Sequence, residues 1–161
     1  MDLPDTGPGA ARHAAGGAGD EWSGPAISLP AAPGCYVLIL HVPGPHSRML
    51  AVGRLGSWPL PPGTYAYCGS AHGPGGLRAR VSRHLRREKR LHWHVDYLAA
   101  AAEVVAVWLW PGAPRAQECA IAGHLARWPG VYRPVPRFGS SDCRCPGHLL
   151  ALPGGPSPES P

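Results

Sequence analysis

The residues Gly34–Val42 (GCYVLILHV) form an almost unbroken apolar run rich in β-branched and aliphatic side chains. Such a run predicts a strand buried on both faces. Pro43, Gly44 and Pro45 end it. Residues 48–53 (RMLAVG) predict a second, short strand. Residues 54–63, with Gly56 and three prolines, predict a loop or bulge. Residues 64–69 predict a third strand on which Tyr65 and Tyr67 share one face. The close spacing of the three strands suggests an antiparallel meander.

After residue 76 the period changes. Leu77, Val81 and Leu85 recur every four residues and predict a helix over 77–90 with one core-facing stripe. Arg80, Arg83, His84 and Arg87 fall along one flank of that stripe, where a side chain anchored by the core can still reach a ligand. Residues 92–102 (HWHVDYLAAAA) are alanine-rich and predict a second helix. Residues 104–110 predict a fourth strand, closed by Pro111 and Gly112. Residues 115–127 predict a third helix, with Cys119, Ala122 or Gly123, and Ala126 as a small-residue packing face. Residues 148–152 predict a last short strand. This order implies an α+β domain, a small mainly antiparallel sheet with helices packed on it. The domain is expected over 24–152. Residues 1–23 and 153–161 lack bulky apolar periodicity and are expected to be disordered tails.

Charge adds a partner class. The chain carries a formal net charge of +5, but residues 24–152 hold fourteen Arg and Lys against five Asp and Glu. Seven of the positive residues lie between Arg78 and Arg90. A focused patch of this kind attracts polyanions. The glycine-rich turn before it (CGSAHGPGG) leads into the basic helix, and a turn of that kind can aim backbone N–H groups at a phosphate. The most apolar run, 97–111, is interrupted by Glu103 and too short to span a membrane. No secretory signal is visible in the acidic, glycine-rich N-terminus, so the five cysteines are expected to be reduced thiols in the cytoplasm.

Gly34-Cys35-Tyr36 opens the first strand, and Tyr67-Cys68-Gly69 closes the third. Arg80 and His84 follow on the basic helix, and Glu118 on a later one. This constellation resembles the GIY-YIG nuclease superfamily. WHVDYL at 93–98, the Glu118-Cys119 pair and FGSSDCRCPGHLL at 138–150 look like an uncharacterised branch of it. That branch is known mainly as a domain of unknown function and is sometimes attached to endonuclease III-type repair proteins. The resemblance covers about residues 33–152. It implies a GIY-YIG-like fold, a divalent-metal-dependent endonuclease acting on DNA in a repair setting, and an endonuclease III-type partner. It also implies Tyr36, Tyr67, Arg80 and His84 as catalytic residues and Glu118 as the ligand of magnesium or another divalent metal. The additional strand and loop at 48–63 depart from the shorter connection of those nucleases.

The residue types suit the chemistry. Arg80 can clamp a phosphate with two parallel hydrogen bonds. One carboxylate suffices for a magnesium ion that keeps most of its waters. Tyr36 can serve as general base only if its pKa of about 10 is lowered. Arg83, Arg86, Arg87, Lys89 and His92 are the expected nucleic-acid contacts. A non-catalytic nucleic-acid-binding module on the same scaffold is the alternative. A protein-interaction domain is a third class, which an exposed apolar patch around Trp108 and Trp110 would favour.

Two clusters stand outside this scheme. His92, His94 and Asp96 either join the site or cap and lock neighbouring loops. Cys143, Cys145 and His148 are three soft donors close in sequence, one short of the four a structural zinc site takes. Cys68 or Cys35 would be a distant fourth. The block is therefore expected to hold buried or turn-forming cysteines rather than zinc.

Overall fold

The computed structural model describes residues 12–14, 28–86, 91 and 93–153. Strands β1 (Arg12–Ala14), β6 (Glu103–Pro111), β2 (Gly34–Val42), β5 (Gly63–Ala71) and β7 (Leu149–Leu152) form one antiparallel sheet in the order β1-β6-β2-β5-β7. Helices α1 (Gly76–Leu85), α2 (His94–Ala99) and α3 (Ala116–Leu125) complete the α+β architecture. β1 falls inside the stretch expected to be a tail, where three residues pair along the β6 edge.

The expected meander does not form. β2 pairs directly with β5 over nine residues. β3 (Arg48–Ala51) leaves the main sheet and pairs with β4 (Ser57–Leu60), inside the expected loop. A 3-10 turn at Gly53–Leu55 joins them, flanked by the positive φ of Gly53 and Gly56. Pro59 has no N–H, which suits β4 to a two-stranded ribbon.

Alternation along β2 explains its apolar run. Tyr36, Leu38 and Leu40 face one core with Tyr65 and Tyr67, covered by Leu77 and Val81 of α1, Val95 and Leu98 of α2, and Phe138. Cys35, Val37 and Ile39 face a second core with Ala66 and Cys68. α3 covers that face through Ile121 and Leu125 together with Ala122 and Ala126 of the expected small-residue face, while Cys119 is left to face elsewhere. α1 ends at Leu85, five residues earlier than its predicted limit, with Arg86 already extended. Its apolar stripe of Leu77, Val81 and Leu85 runs out there.

Candidate functional site

β7 pairs with β5 only as far as Tyr67, so the β5 edge beyond it has no neighbouring strand on that side among the described residues. A cleft of about 480 Å³ opens there. Residues from both faces of the sheet meet in it: Tyr36, Tyr67, Arg80, His84 and Trp93 from the α1 side, Arg115, Glu118 and Cys119 from the start of α3. Tyr36, Tyr67, Arg80, His84 and Glu118 thus share one cavity.

The two glycine-tyrosine motifs have a steric cause. Tyr36 lies opposite Gly69 in the β2–β5 register. Its ring lies across Gly69, where any Cβ would collide with the ring carbons and hydroxyl. At Gly34 a Cβ would strike the Trp110 carbonyl of β6. Each glycine is thus the residue that lets an aromatic ring or a neighbouring strand come close.

Tyr36 is fully buried, and its hydroxyl lies 2.7 Å from Nε2 of the buried His84. The Tyr36 ring centroid sits 6.4 Å from that of Tyr67 and 5.3 Å from that of His84, which in turn contacts Trp93 edge-on. Burial pushes the Tyr36 phenol well above its ordinary value, the Tyr67 and Glu118 charges add to this, and Arg80 opposes it. Tyr67 moves the same way for the same first cause. The protein's own groups thus do not supply the lowered pKa that a tyrosinate base requires. Arg80 reaches the Ser70 carbonyl at 3.4 Å and stacks over Trp93 at 4.1 Å, which holds its guanidinium at the cleft wall.

Glu118 is half-buried in the first turn of α3, with Oε1 2.9 Å from Nδ1 of His148. The ring N–H is not well aligned on that oxygen, so the contact is an ion-pair distance rather than a directed hydrogen bond. Burial alone would raise the carboxyl, but His148, Ser70 and Arg115 outweigh it and hold Glu118 below the usual carboxylate range.

Other expected contacts are placed differently. Arg83 grips the buried Asp96 through two hydrogen bonds of 2.8 and 2.9 Å and stacks on Trp93, so its fork is engaged within the protein rather than offered to nucleic acid. Arg86 is exposed at the end of α1. Arg87, Lys89 and His92 lie outside the described residues. Asp96 also accepts from the Trp93 backbone N–H at 2.8 Å, and His94 Nδ1 accepts from Gly139 N–H at 2.8 Å. The capping and locking role thus holds for both. The amides at the start of α1 are not aimed at a ligand. Leu77 N donates to Ala32 O and Arg78 N to Pro30 O, so the glycine-rich turn docks the helix on the preceding segment instead of cradling a phosphate.

The largest departure concerns the cysteines. Cys119, at the start of α3, joins Cys143, Cys145 and His148, with all four donor atoms within 4.8 Å of one another. Sγ of Cys119 and Sγ of Cys143 each lie 3.5 Å from Nε2 of His148. The missing fourth donor is therefore neither Cys35 nor Cys68, which are buried on the α3 face of the sheet. This set of donors could hold a metal ion. Burial and hydrogen bonds with Cys145 and Cys143 push the Cys119 thiol up. Cys143, opposed by burial, is pulled down by the Cys145 backbone and by the Cys119 and Cys145 thiols.

A family model described as Domain of unknown function DUF123 matches residues 35–160. The chain belongs to that family. The DUF123 match contains every cleft residue named above and runs past 152 into the stretch expected to be a tail. No curated protein and no solved structure matches the chain. Trp108 and Trp110 pack against the α3-side core rather than forming an exposed patch, and no described helix is long and apolar enough to cross a membrane.

Sequence reasoning missed Arg115 as a cleft residue and Cys119 as the fourth donor. No local signal marked Cys119, because consecutive helix residues point about 100° apart and the docking of α3 brings it to the loop cysteines.

Proposed function

We propose that this DUF123 protein is a GIY-YIG-like, metal-dependent endonuclease acting on DNA phosphodiesters. The observation that carries the reading is the meeting of Tyr36, Tyr67, Arg80, His84 and Glu118 in one cleft. The likeness of the Gly34 and Tyr67 motifs to the GIY-YIG signature supports it, and the likeness to endonuclease III-attached relatives suggests a repair setting and a partner of that kind.

Arg80 and Arg115 would flank the phosphate, and Arg80's stacking on Trp93 holds its cation in place before substrate arrives. Tyr36 need not lose its proton beforehand. Its oxygen can take a proton from the attacking water as its own passes to His84 Nε2, 2.7 Å away, so no free phenolate forms in a site that disfavours one. Glu118, kept ionised, is the carboxylate that would hold magnesium or a similar cation, with Asp142 a second carboxylate on the cleft lining. Such an ion, when bound, neutralises charge on the phosphoryl oxygens and acidifies water.

A second reading, a nucleic-acid-binding module without turnover, is favoured by the engagement of Glu118 with His148. The test is incubation of the purified protein with plain, branched and damaged DNA in magnesium or manganese. The endonuclease reading expects cleavage that falls by roughly 10²–10³ in Arg80→Ala and strongly in Tyr36→Phe. Salt-sensitive binding without cleavage of any substrate would leave the binding module, and no binding would sink both.

A further inference from the structure

We propose that Cys119, Cys143, Cys145 and His148 form a structural zinc site that fastens α3 to the 138–148 loop along the rim of the cleft. Tetrahedral zinc with sulfur ligands near 2.3 Å places its donors about 3.8 Å apart. The two Sγ–Nε2 separations of 3.5 Å and the outer limit of 4.8 Å bracket that value. Three thiols and one imidazole are a common donor set for structural zinc and leave no open coordination position, so the ion would hold structure rather than carry out chemistry.

The surrounding chain already holds these donors close together. Arg137, itself at a φ of 65° in the left-handed region, sends its guanidinium back across the loop. It donates to the carbonyls of Cys145 at 2.7 Å, Ser140 at 2.8 Å and Cys143 at 2.8 Å. Arg133 Nε holds the Gly147 carbonyl at 3.0 Å. His148 is tied at both ends of its peptide unit, its N–H to Phe138 O and its carbonyl to Cys68 N–H. Two cations thus clamp a loop whose donor side chains converge.

Glu118 supplies the outer partner. With Nε2 bound to zinc the ring proton would sit on Nδ1, 2.9 Å from Glu118 Oε1, and a small turn of the carboxylate would align the two. A carboxylate behind a ligating histidine fixes its tautomer and orientation. The same contact would make the zinc site an orienting support for Glu118. The zinc itself needs no part of the endonuclease reading.

The experiment uses the full chain purified under reducing conditions, with Zn²⁺ and Co²⁺ as probes. About one zinc per chain should survive desalting, and the cobalt form should show the sulfur-to-metal charge transfer and intense visible bands of a tetrahedral thiolate site. Zinc should protect Cys119, Cys143 and Cys145 from alkylation in peptide-resolved mass spectrometry, and a chelator should expose them. Cys35 and Cys68 should behave alike in both conditions. Competition with a chromophoric chelator should show affinity at least 100-fold weaker in Cys143→Ser and Cys145→Ser, and about 10- to 100-fold weaker in Glu118→Gln. Loss of all zinc on desalting, with alkylation unchanged by the chelator, would overturn the proposal. So would a disulfide among the three cysteines in the freshly reduced protein. Neither outcome depends on DNA cleavage.

Discussion

On the wall built by β2, β5 and α1, four aromatic or imidazole rings touch one another. Tyr36 bonds His84, His84 meets Trp93, and Arg80 and Arg83 stack on that same indole. On the wall built by α3 and residues 138–148, three thiols and one imidazole face each other, and the backbone behind them is clamped by Arg133 and Arg137. The first wall is held by contacts within the protein, with Arg83 paired to Asp96 and Arg80 stacked on Trp93. The second converges on soft donors that repel one another as thiolates and gain most when a cation sits among them. A cleft can thus join one side set by packing to one side set by coordination.

The sharpest way to separate the walls is to damage each with and without a chelator. Asp96→Ala should have the largest effect. It removes the buried carboxylate that pairs with Arg83 and caps α2, at about 3–5 kcal/mol. Urea unfolding should give the same loss with or without chelator, because no thiol is involved. A loss that vanished on chelation would mean the walls are one coupled unit. Cys143→Ser should behave in the opposite way. With free zinc at 100 times its dissociation constant it should lose about 2.7 kcal/mol, and in chelator almost nothing. Equal losses in both conditions would remove the distinction drawn here.

Gly69→Ala is next. The added methyl must displace the Tyr36 ring, which costs about 2 kcal/mol of overpacking and disturbs the contact with His84. Unchanged urea midpoints would show that the ring has room the structure does not provide. The smallest effect should come from His94, which bridges the walls by accepting from Gly139 N–H. Burial holds this imidazole below its ordinary 6.5. The unfolded chain therefore binds the proton first, so His94 contributes stability above about pH 6.5 that is lost as pH falls through that value. His94→Asn keeps an acceptor at the same place without titrating. Melting curves across pH 5–8 should fall more steeply for the wild type, and parallel curves would exclude the effect.

Much of the scaffold was legible along the chain. The apolar run of β2, the two-residue alternation of Tyr65 and Tyr67, and the four-residue stripe of Leu77, Val81 and Leu85 report local periodicity, and periodicity is a property of neighbouring residues. The order of the tyrosine motifs, the arginine helix and Glu118 was legible in the same way, and those residues do face one cleft. The hairpin β3–β4 was not. Its prolines and glycines punctuate the chain as a loop would, and only direct β2–β5 pairing shows that the segment folds aside.

The basic stretch from Arg78 to Arg90 shows where local reading stops. Residue type determined that it is cationic, and periodicity predicted the helix that the fold keeps as far as Leu85. Charge alone could not say that Arg83 belongs to Asp96 while Arg80 faces the cleft, because partners thirteen residues apart in sequence are chosen by how α1 and α2 pack. The glycine turn before it suggested a phosphate cradle until the fold assigned its amides to Pro30 and Ala32. The cysteines carry the same lesson furthest. Sequence showed three donors within six residues, and the fourth, Cys119, is brought to them by the docking of α3 on the far face of the sheet. Residue type and spacing determine which chemistry a chain can offer. Which donors share a site depends on long-range packing, since burial of the Ile121 and Leu125 face sets where Cys119 ends up.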